Sequence, residues 1–138
     1  MKVYLVSYCA MAVIFFGCDA VWLTLAGNAL YRPLLGDLVL ERFKAGPAIL
    51  FYLLYIAGAV YFAIAPAVSS DRWTTALVNG ALFGFFAYGT YDLTNLATIR
   101  GWSTTITIVD LCWGTALTGI CATLGYLIAT ALTRAASA

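Results

Sequence analysis

The chain contains no histidine, and its only lysines are Lys2 and Lys44. The first absence excludes histidine-ligated haem, histidine metal sites and histidine acid–base chemistry. Because both lysines lie outside the long apolar stretches, a Schiff base buried in such a stretch has no amine to use. The four cysteines include no Cys-x-x-Cys pair, which excludes a thioredoxin-type redox motif. We therefore expect no cofactor and no metal ion.

Charged residues are also scarce, at 9% of the 138 residues, whereas 64% are hydrophobic. A soluble domain averages about 45–50% apolar and about 25% charged residues, so a water-soluble globular domain is excluded. A disordered chain is excluded for the same reason. The formal net charge of +1 offers no electrostatic footprint for nucleic acid. The composition predicts an integral membrane protein whose partner is the lipid bilayer.

Four apolar stretches are long enough to cross the hydrocarbon layer, which takes about 20 helical residues. They cover about residues 3–27, 47–68, 73–99 and 103–133. Their length and continuity favour helices over strands. Short connections make the last three spans antiparallel neighbours. The sequence thus predicts an all-α fold, a single membrane domain built as an up-down bundle of four transmembrane helices. We expect the first span to remain uncleaved.

The connection between spans one and two has a helical pattern of its own. Pro33 is typical of a first helical turn. Apolar residues then recur at helical spacing, at Leu34, Leu35, Leu38, Val39 and Phe43, among the charged Asp37, Glu41 and Lys44. This pattern predicts a short amphipathic helix at the membrane interface. Near the end of span two, Pro66 predicts that the helix ends or kinks.

Three aspartates, Asp19, Asp92 and Asp110, lie inside the apolar stretches. A charge at mid-membrane costs at least about 2.5–3.5 kcal/mol, so such acids are candidates for function. With alternating spans and a rise of 1.5 Å per residue, each lies roughly 10–12 Å below the same membrane surface. Tyr55 falls at the same level on span two. We therefore expect every helix to supply one polar group to a single layer.

Small and polar residues form stripes on the spans that carry two of these acids. The stripes contain Gly80, Gly84, Tyr88, Asp92 and Asn95 on span three, and Ser103, Thr107, Asp110, Gly114, Cys121 and Gly125 on span four. Such stripes allow membrane helices to approach closely. We expect both stripes to face the interior of the bundle.

Three nearby carboxylates in a low dielectric cannot all be ionised, because desolvation and mutual repulsion favour the neutral form. No lysine or arginine lies at their depth. The acids must share protons, bind a cation, or receive an arginine, for which Arg32 in the first loop is best placed. The alternative is structural, with protonated acids hydrogen-bonded between helices to Tyr55, Tyr88 and Asn95.

A six-residue pattern, Asp-x-x-Trp-x-Thr, occurs twice. It begins at Asp19 and again at Asp110, and it places Trp22 and Trp113 one turn after each acid. The two spans run antiparallel, so the pattern fits an inverted repeat with a site between its halves, and coincidence is the alternative. The two tryptophans either wall an apolar pocket or simply pack. We count both as candidate ligand- or ion-binding residues. The full set is Asp19, Asp92, Asp110, Tyr55, Tyr88, Asn95, Trp22, Trp113 and Arg32.

Five segments carry a resemblance to a known family. They read LYRPLLG at 30–36, PAILFYLLY at 47–55, YDLTNLAT at 91–98, GW at 101–102 and DLCWGT at 110–115. In these segments the chain resembles an uncharacterised family of small bacterial four-helix membrane proteins, known as a domain of unknown function. The resemblance implies a protein of the bacterial inner membrane. It brings no activity, so no residue is assigned a catalytic role.

Three functions are open on the sequence, and whether the chain is an enzyme is open as well. We favour proton- or cation-linked binding or transport of a small or lipid-like molecule. The second function is that of a non-catalytic accessory or assembly subunit, paired with itself or with another membrane protein. The third is a membrane enzyme acting on a lipid or isoprenoid, with an aspartate as general acid or base.

Overall fold

The computed structural model describes residues 1–40, 42 and 44–136, and all regular structure within these ranges is helical. Helix α1 (Lys2–Ala26) continues through a π-helical segment (Gly27–Tyr31) into the short helix α2 (Arg32–Leu35). A 3-10 turn then ends this first continuous rod at Leu38.

The second rod is built in a similar way. Helix α3 (Ala45–Ala59) continues through a π-helical segment (Val60–Ile64) into α4 (Ala65–Ser70). The last two rods are the uninterrupted helices α5 (Trp73–Thr98) and α6 (Thr104–Ala135). The predicted all-α fold with four long helical rods is confirmed.

Three of the rods are long and apolar enough to cross a membrane, namely Lys2–Leu38, Ala45–Ser70 and Thr104–Ala135. Helix α5 has sufficient length, with 26 residues. It is not among the three, because its glycines and polar residues lower its hydropathy. The chain is therefore an integral membrane protein by these three helices, and a fourth span over residues 73–99 stays a prediction.

The predicted amphipathic helix after Pro33 corresponds to α2 and the 3-10 turn. It is continuous with α1 and not separated from it, because the backbone at Gly27–Tyr31 widens into a π-helix instead of breaking. Two residues of the predicted helix, Glu41 and Phe43, lie outside the described residues.

Pro66 interrupts the second rod without ending it. A proline inside a helix lacks an N–H group and its ring collides with the carbonyl four residues earlier, here that of Phe62. The π-helical segment lies just before this proline. The side-chain amide of Asn79 on α5 donates a hydrogen bond to the Phe62 carbonyl at 3.2 Å. The freed carbonyl is thus satisfied by a neighbouring helix, as apolar surroundings require.

Helix α6 is the centre of the bundle, since it packs extensively against both α5 and α1 and carries the largest set of buried residues. The approach of α5 to α6 depends on glycine. A Cβ atom on Gly84 would lie 2.2 Å from the Gly114 carbonyl oxygen, and one on Gly114 would lie 2.2 Å from the Tyr88 ring. Gly80 and Gly84 of the α5 stripe therefore face α6 in the interior, whereas Gly125 at the far end of the α6 stripe faces Met11 of α1 and Ile64 of the second rod.

Gly84→Ala tests this close approach. The added methyl group must push α6 away, so we expect the free energy of unfolding to fall by about 1–3 kcal/mol, the usual range for overpacking. Denaturant unfolding of the purified protein in detergent measures this change. Gly89→Ala on the same helix is the matched control, because its Cβ would meet nothing within 4 Å. Equal stability of the two variants would contradict the close approach.

Candidate functional site

The Asp19 carboxylate links three helices. Asp19 lies on α1 and is 6% exposed. One carboxylate oxygen accepts a hydrogen bond from the Tyr52 hydroxyl of α3. The other accepts a hydrogen bond from the Trp113 indole N–H of α6, at 3.3 Å. A buried charge-bearing group thus has donors from two other helices, which is how such groups are tolerated in apolar surroundings.

The Asp110 carboxylate is held in a comparable way. Asp110 lies on α6 and is 7% exposed. It accepts a hydrogen bond of 2.5 Å from the hydroxyl of Tyr31, the last residue of the first π-helical segment. The Tyr31 oxygen in turn accepts a hydrogen bond of 3.0 Å from the Trp22 indole N–H. Tyr31 therefore connects Asp110 to the tryptophan of the first repeated pattern.

The two tryptophans join these groups into one cluster. The rings of Trp22 and Trp113 stack with their centroids 4.4 Å apart and their planes 12° apart. Trp113 donates to the acid of the other repeated segment directly, and Trp22 reaches the other acid through Tyr31. We call this set the Asp–Trp network, and its members are Asp19, Trp22, Tyr31, Tyr52, Asp110 and Trp113.

The threonines that end the two repeated patterns, Thr24 and Thr115, form the same kind of hydrogen bond. The Thr24 hydroxyl donates to the Ala20 carbonyl at 2.7 Å, and the Thr115 hydroxyl donates to the Leu111 carbonyl at 2.6 Å. Each threonine thus bonds its own helix four residues back. These two bonds lie within α1 and α6, so the contact that the repeated pattern makes between the two helices is that of its acids and tryptophans.

Asp92 is held differently from the other two acids. It is 0% exposed, and neither carboxylate oxygen has a hydrogen-bond partner in the part of the chain that the structure describes. Asp92 lies within electrostatic range of Asp110, and Asp110 within range of Asp19. The most buried of the three acids thus has no donor among the described residues.

No described arginine or lysine neutralises these acids. Arg32 is exposed and forms no ion pair with any described residue. Arg134 pairs with Asp71 at 2.6 Å, between the end of α6 and the α4–α5 turn. Among residues 1–40, 42 and 44–136, no three of the cysteines and acids are grouped so that they could hold a metal ion.

The remaining candidates lie beside the network without bonding to an acid. The Tyr55 hydroxyl shares a hydrogen bond of 2.7 Å with Thr118, about two turns deeper along α6 than Asp110. The expectation that Tyr55 lies in the carboxylate layer is therefore wrong. The Tyr88 ring covers Gly114, and Asn95 is half-buried one turn after Asp92.

Two network members, Tyr52 and Tyr31, were missed as site residues in the sequence. Tyr52 lies one turn before Tyr55 on the same face, and the spacing alone could have suggested either. Tyr31 lies outside the first span as the sequence predicts it, because that span was expected to end near Gly27. The π-helical continuation of α1 changes the direction of the chain there and brings the Tyr31 hydroxyl to Asp110.

A double-mutant cycle of Trp22→Leu and Trp113→Leu tests the stacked pair. Stacked aromatic rings contribute about 0.5–1.5 kcal/mol beyond their buried area, so we expect a coupling of that size in the free energy of unfolding. Trp73→Leu is the control partner, since the Trp73 ring makes no contact with another described ring. Additive effects of the Trp22 and Trp113 substitutions would show that the rings do not stack.

Comparison with known proteins places the chain in a family without adding an activity. No curated protein and no solved structure matches it. Residues 4–127 match the family described as "Predicted membrane protein (DUF2177)". This match covers most of the chain, including all six members of the Asp–Trp network and Asp92. The protein therefore belongs to the DUF2177 family of predicted membrane proteins.

Proposed function

We propose that the protein binds or transports a small or lipid-like molecule in a proton-linked manner, with Asp92 as the group that takes up and releases the proton. The observation that carries this proposal is the fully buried Asp92 carboxyl group with no hydrogen-bond partner among the described residues. An acid inside a membrane helix is a functional candidate by default, because it is costly to keep there.

The charge state of Asp92 follows from its surroundings. An ionised carboxylate with no donor and no counter-ion in a low dielectric costs far more than a neutral carboxylic acid. A bound proton removes this cost, and a bound cation would need further ligands. The described acids and cysteines do not supply a group of three such ligands. A proton is therefore the occupant that fits Asp92 best.

The contrast among the three acids supports this function over that of an accessory subunit. Asp19 and Asp110 accept hydrogen bonds from other elements of the fold and serve as links between helices. A purely structural role would require all three acids to be satisfied in this way. Asp92 is not, so the assembly-subunit alternative accounts for two acids, whereas proton-linked binding accounts for the third.

The position of Asp92 also implies that the protein must change shape to work. With 0% exposure, the carboxyl group has no contact with water in this conformation. Tyr31 is the group we propose to move, because it lies in a π-helical segment and caps Asp110, the acid coupled to Asp92. Segments of this kind are common at functional sites.

The setting that we infer for this activity is the bacterial inner membrane, on the basis of the family resemblance. The chain has large apolar side chains exposed along its spans, such as Val13, Leu54 and Ile108. The bilayer covers them, and a second copy or another membrane protein would also do so. Pairing is therefore compatible with the proposal and is not required by it.

Asp92→Asn tests the proton at this site. We expect the infrared spectrum of the wild-type protein at neutral pH to contain the C=O band of a protonated carboxyl group. We expect Asp92→Asn to lose that band. We also expect liposomes that contain this variant to lose proton-linked uptake of the transported molecule. The variant should fold, since Asp92 gives up no hydrogen bond to a described residue. Asp71→Asn is the matched control, because Asp71 is exposed and lies in a turn.

Two outcomes would contradict the proposal. One is a wild-type spectrum that at neutral pH contains carboxylate bands alone. The other is a protonated band that persists in Asp92→Asn and disappears in Asp19→Asn or Asp110→Asn. A variant Asp92→Asn that fails to fold would show that this acid is a structural link after all.

A further inference from the structure

The end of the bundle that contains Tyr31 carries a set of exposed basic side chains. We call this set the basic rim, and its members are Arg32, Arg42, Lys44 and Arg100. Within the described ranges, none of them forms an ion pair, whereas Arg134 at the opposite end is paired with Asp71. The sequence places two acids, Asp37 and Glu41, in the same connections. The rim therefore retains a positive charge that no contact among the described residues neutralises.

Helix register places Arg32 and Arg100 at the same level. Helices α1 and α6 run antiparallel and meet at the stacked rings of Trp22 and Trp113. As α1 continues toward Arg32, the facing position on α6 moves back to the start of that helix at Thr104. Arg32 therefore lies level with the connection before α6, which contains Arg100. Both residues belong to the same end of the bundle.

The first rod reaches the headgroup layer at this end. It covers Lys2–Leu38, 37 residues, which corresponds to about 55 Å at 1.5 Å per residue. A bilayer is about 40–45 Å thick with its headgroups, and an average tilt of about 20° shortens the rod only slightly. Because the apolar residues begin at Val3, the excess length lies at the Leu38 end. Arg42 and Lys44 continue from this end to α3, which begins at Ala45.

Exposed leucines accompany the basic side chains on the same segment. Leu34, Leu38 and Leu40 are 41%, 49% and 57% exposed. Gly36, with a φ of 53°, turns the chain between them in a conformation that glycine adopts without strain. Segments that combine basic and exposed apolar side chains lie at the boundary between headgroups and acyl chains. The segment therefore fits a partner that has both an anionic head and a hydrocarbon chain.

We infer that the basic rim binds the phosphate groups of anionic phospholipids, and that Arg32 and Arg100 are its central members. The headgroup phosphates are the anions found at this depth, and arginine matches their geometry with paired N–H donors. Basic residues beside a membrane surface each raise the affinity for anionic lipids by about fivefold. The binding of these lipids does not depend on the proton at Asp92.

Arg32 is available for a lipid because it does not serve the buried acids. In the sequence it was the arginine best placed to reach them. Instead, the Tyr31 hydroxyl donates to Asp110, and Arg32, at the next position of the helix, is exposed. A soluble anion or an acidic protein would satisfy the charge of Arg32 and leave the neighbouring Leu34 in contact with water. A phospholipid satisfies the charge and covers the leucine as well.

Spin-labelled lipids test the rim in liposomes that contain the full chain. Electron paramagnetic resonance gives the association constant of spin-labelled phosphatidylglycerol relative to that of phosphatidylcholine at the protein surface. We expect phosphatidylglycerol to associate more strongly, and we expect Arg32→Gln and Arg100→Gln each to lower this preference by up to about fivefold. Raising the salt concentration from about 0.1 M to about 1 M should also weaken it, because the screening length falls from about 10 Å to about 3 Å.

Two controls separate charge from structure. Arg32→Lys keeps the charge and should retain most of the preference for phosphatidylglycerol. The double substitution Arg134→Gln with Asp71→Asn removes an ion pair from the opposite end without changing the net charge, so the preference should persist. Circular dichroism checks that each variant is folded. Arg32 and Arg100 are exposed and unpaired among the described residues, so neither substitution should disturb the bundle.

Several results would overturn the inference. Equal association of the two lipids with the wild-type protein would show that the rim attracts no anionic lipid. A preference that is unchanged in both Arg32→Gln and Arg100→Gln would place the bound lipid elsewhere. Loss of the preference on addition of inorganic phosphate, at constant ionic strength, would identify a site for a soluble anion. Cross-links between two chains through the Lys44 amine would show that a second copy covers the rim.

Discussion

A membrane interior offers no water to a polar side chain, so each buried acid must find its donors within the protein or give up its charge. This constraint explains the arrangement of the bundle. Asp19 of α1 accepts hydrogen bonds from Tyr52 of α3 and Trp113 of α6. Asp110 of α6 accepts one from Tyr31, near the end of the first rod. The two acids thereby help to specify which helices lie next to α1.

The close contact of α5 and α6 arises from the same constraint in another form. The lipid gives apolar side chains no reason to leave it, so helix association depends on fit and on internal hydrogen bonds. Gly84 and Gly114 provide the fit, and the Thr118 hydroxyl beside Gly84 shares a hydrogen bond with Tyr55 of α3. Asp92, two turns after Gly84 on α5, is fully buried and has no hydrogen-bond partner among the described residues.

Composition and apolar length were sufficient to predict the helical membrane fold, because a spanning segment has few alternatives. The three acids were found for the same reason, since any charge stands out in an apolar stretch. Of their donors, Trp113 was among the candidates, but Tyr31 and Tyr52 were not found, because donors depend on helix rotation and on local backbone form. Tyr31 reaches Asp110 through a π-helical segment, and Asn79 reaches the Phe62 carbonyl freed by Pro66. No periodicity in the sequence predicts either segment.

The three acids differ in how many hydrogen-bond donors would lose their partner if the acid were replaced. If Asp19 or Asp110 is replaced, the hydroxyl and indole groups that donate to it lose their hydrogen-bond partner. The replacement therefore affects several residues at once. If Asp92 is replaced, no described donor loses a hydrogen-bond partner. An acid that forms no hydrogen bond with a described residue, at a position where charge is costly, is therefore the one on which our proposal depends.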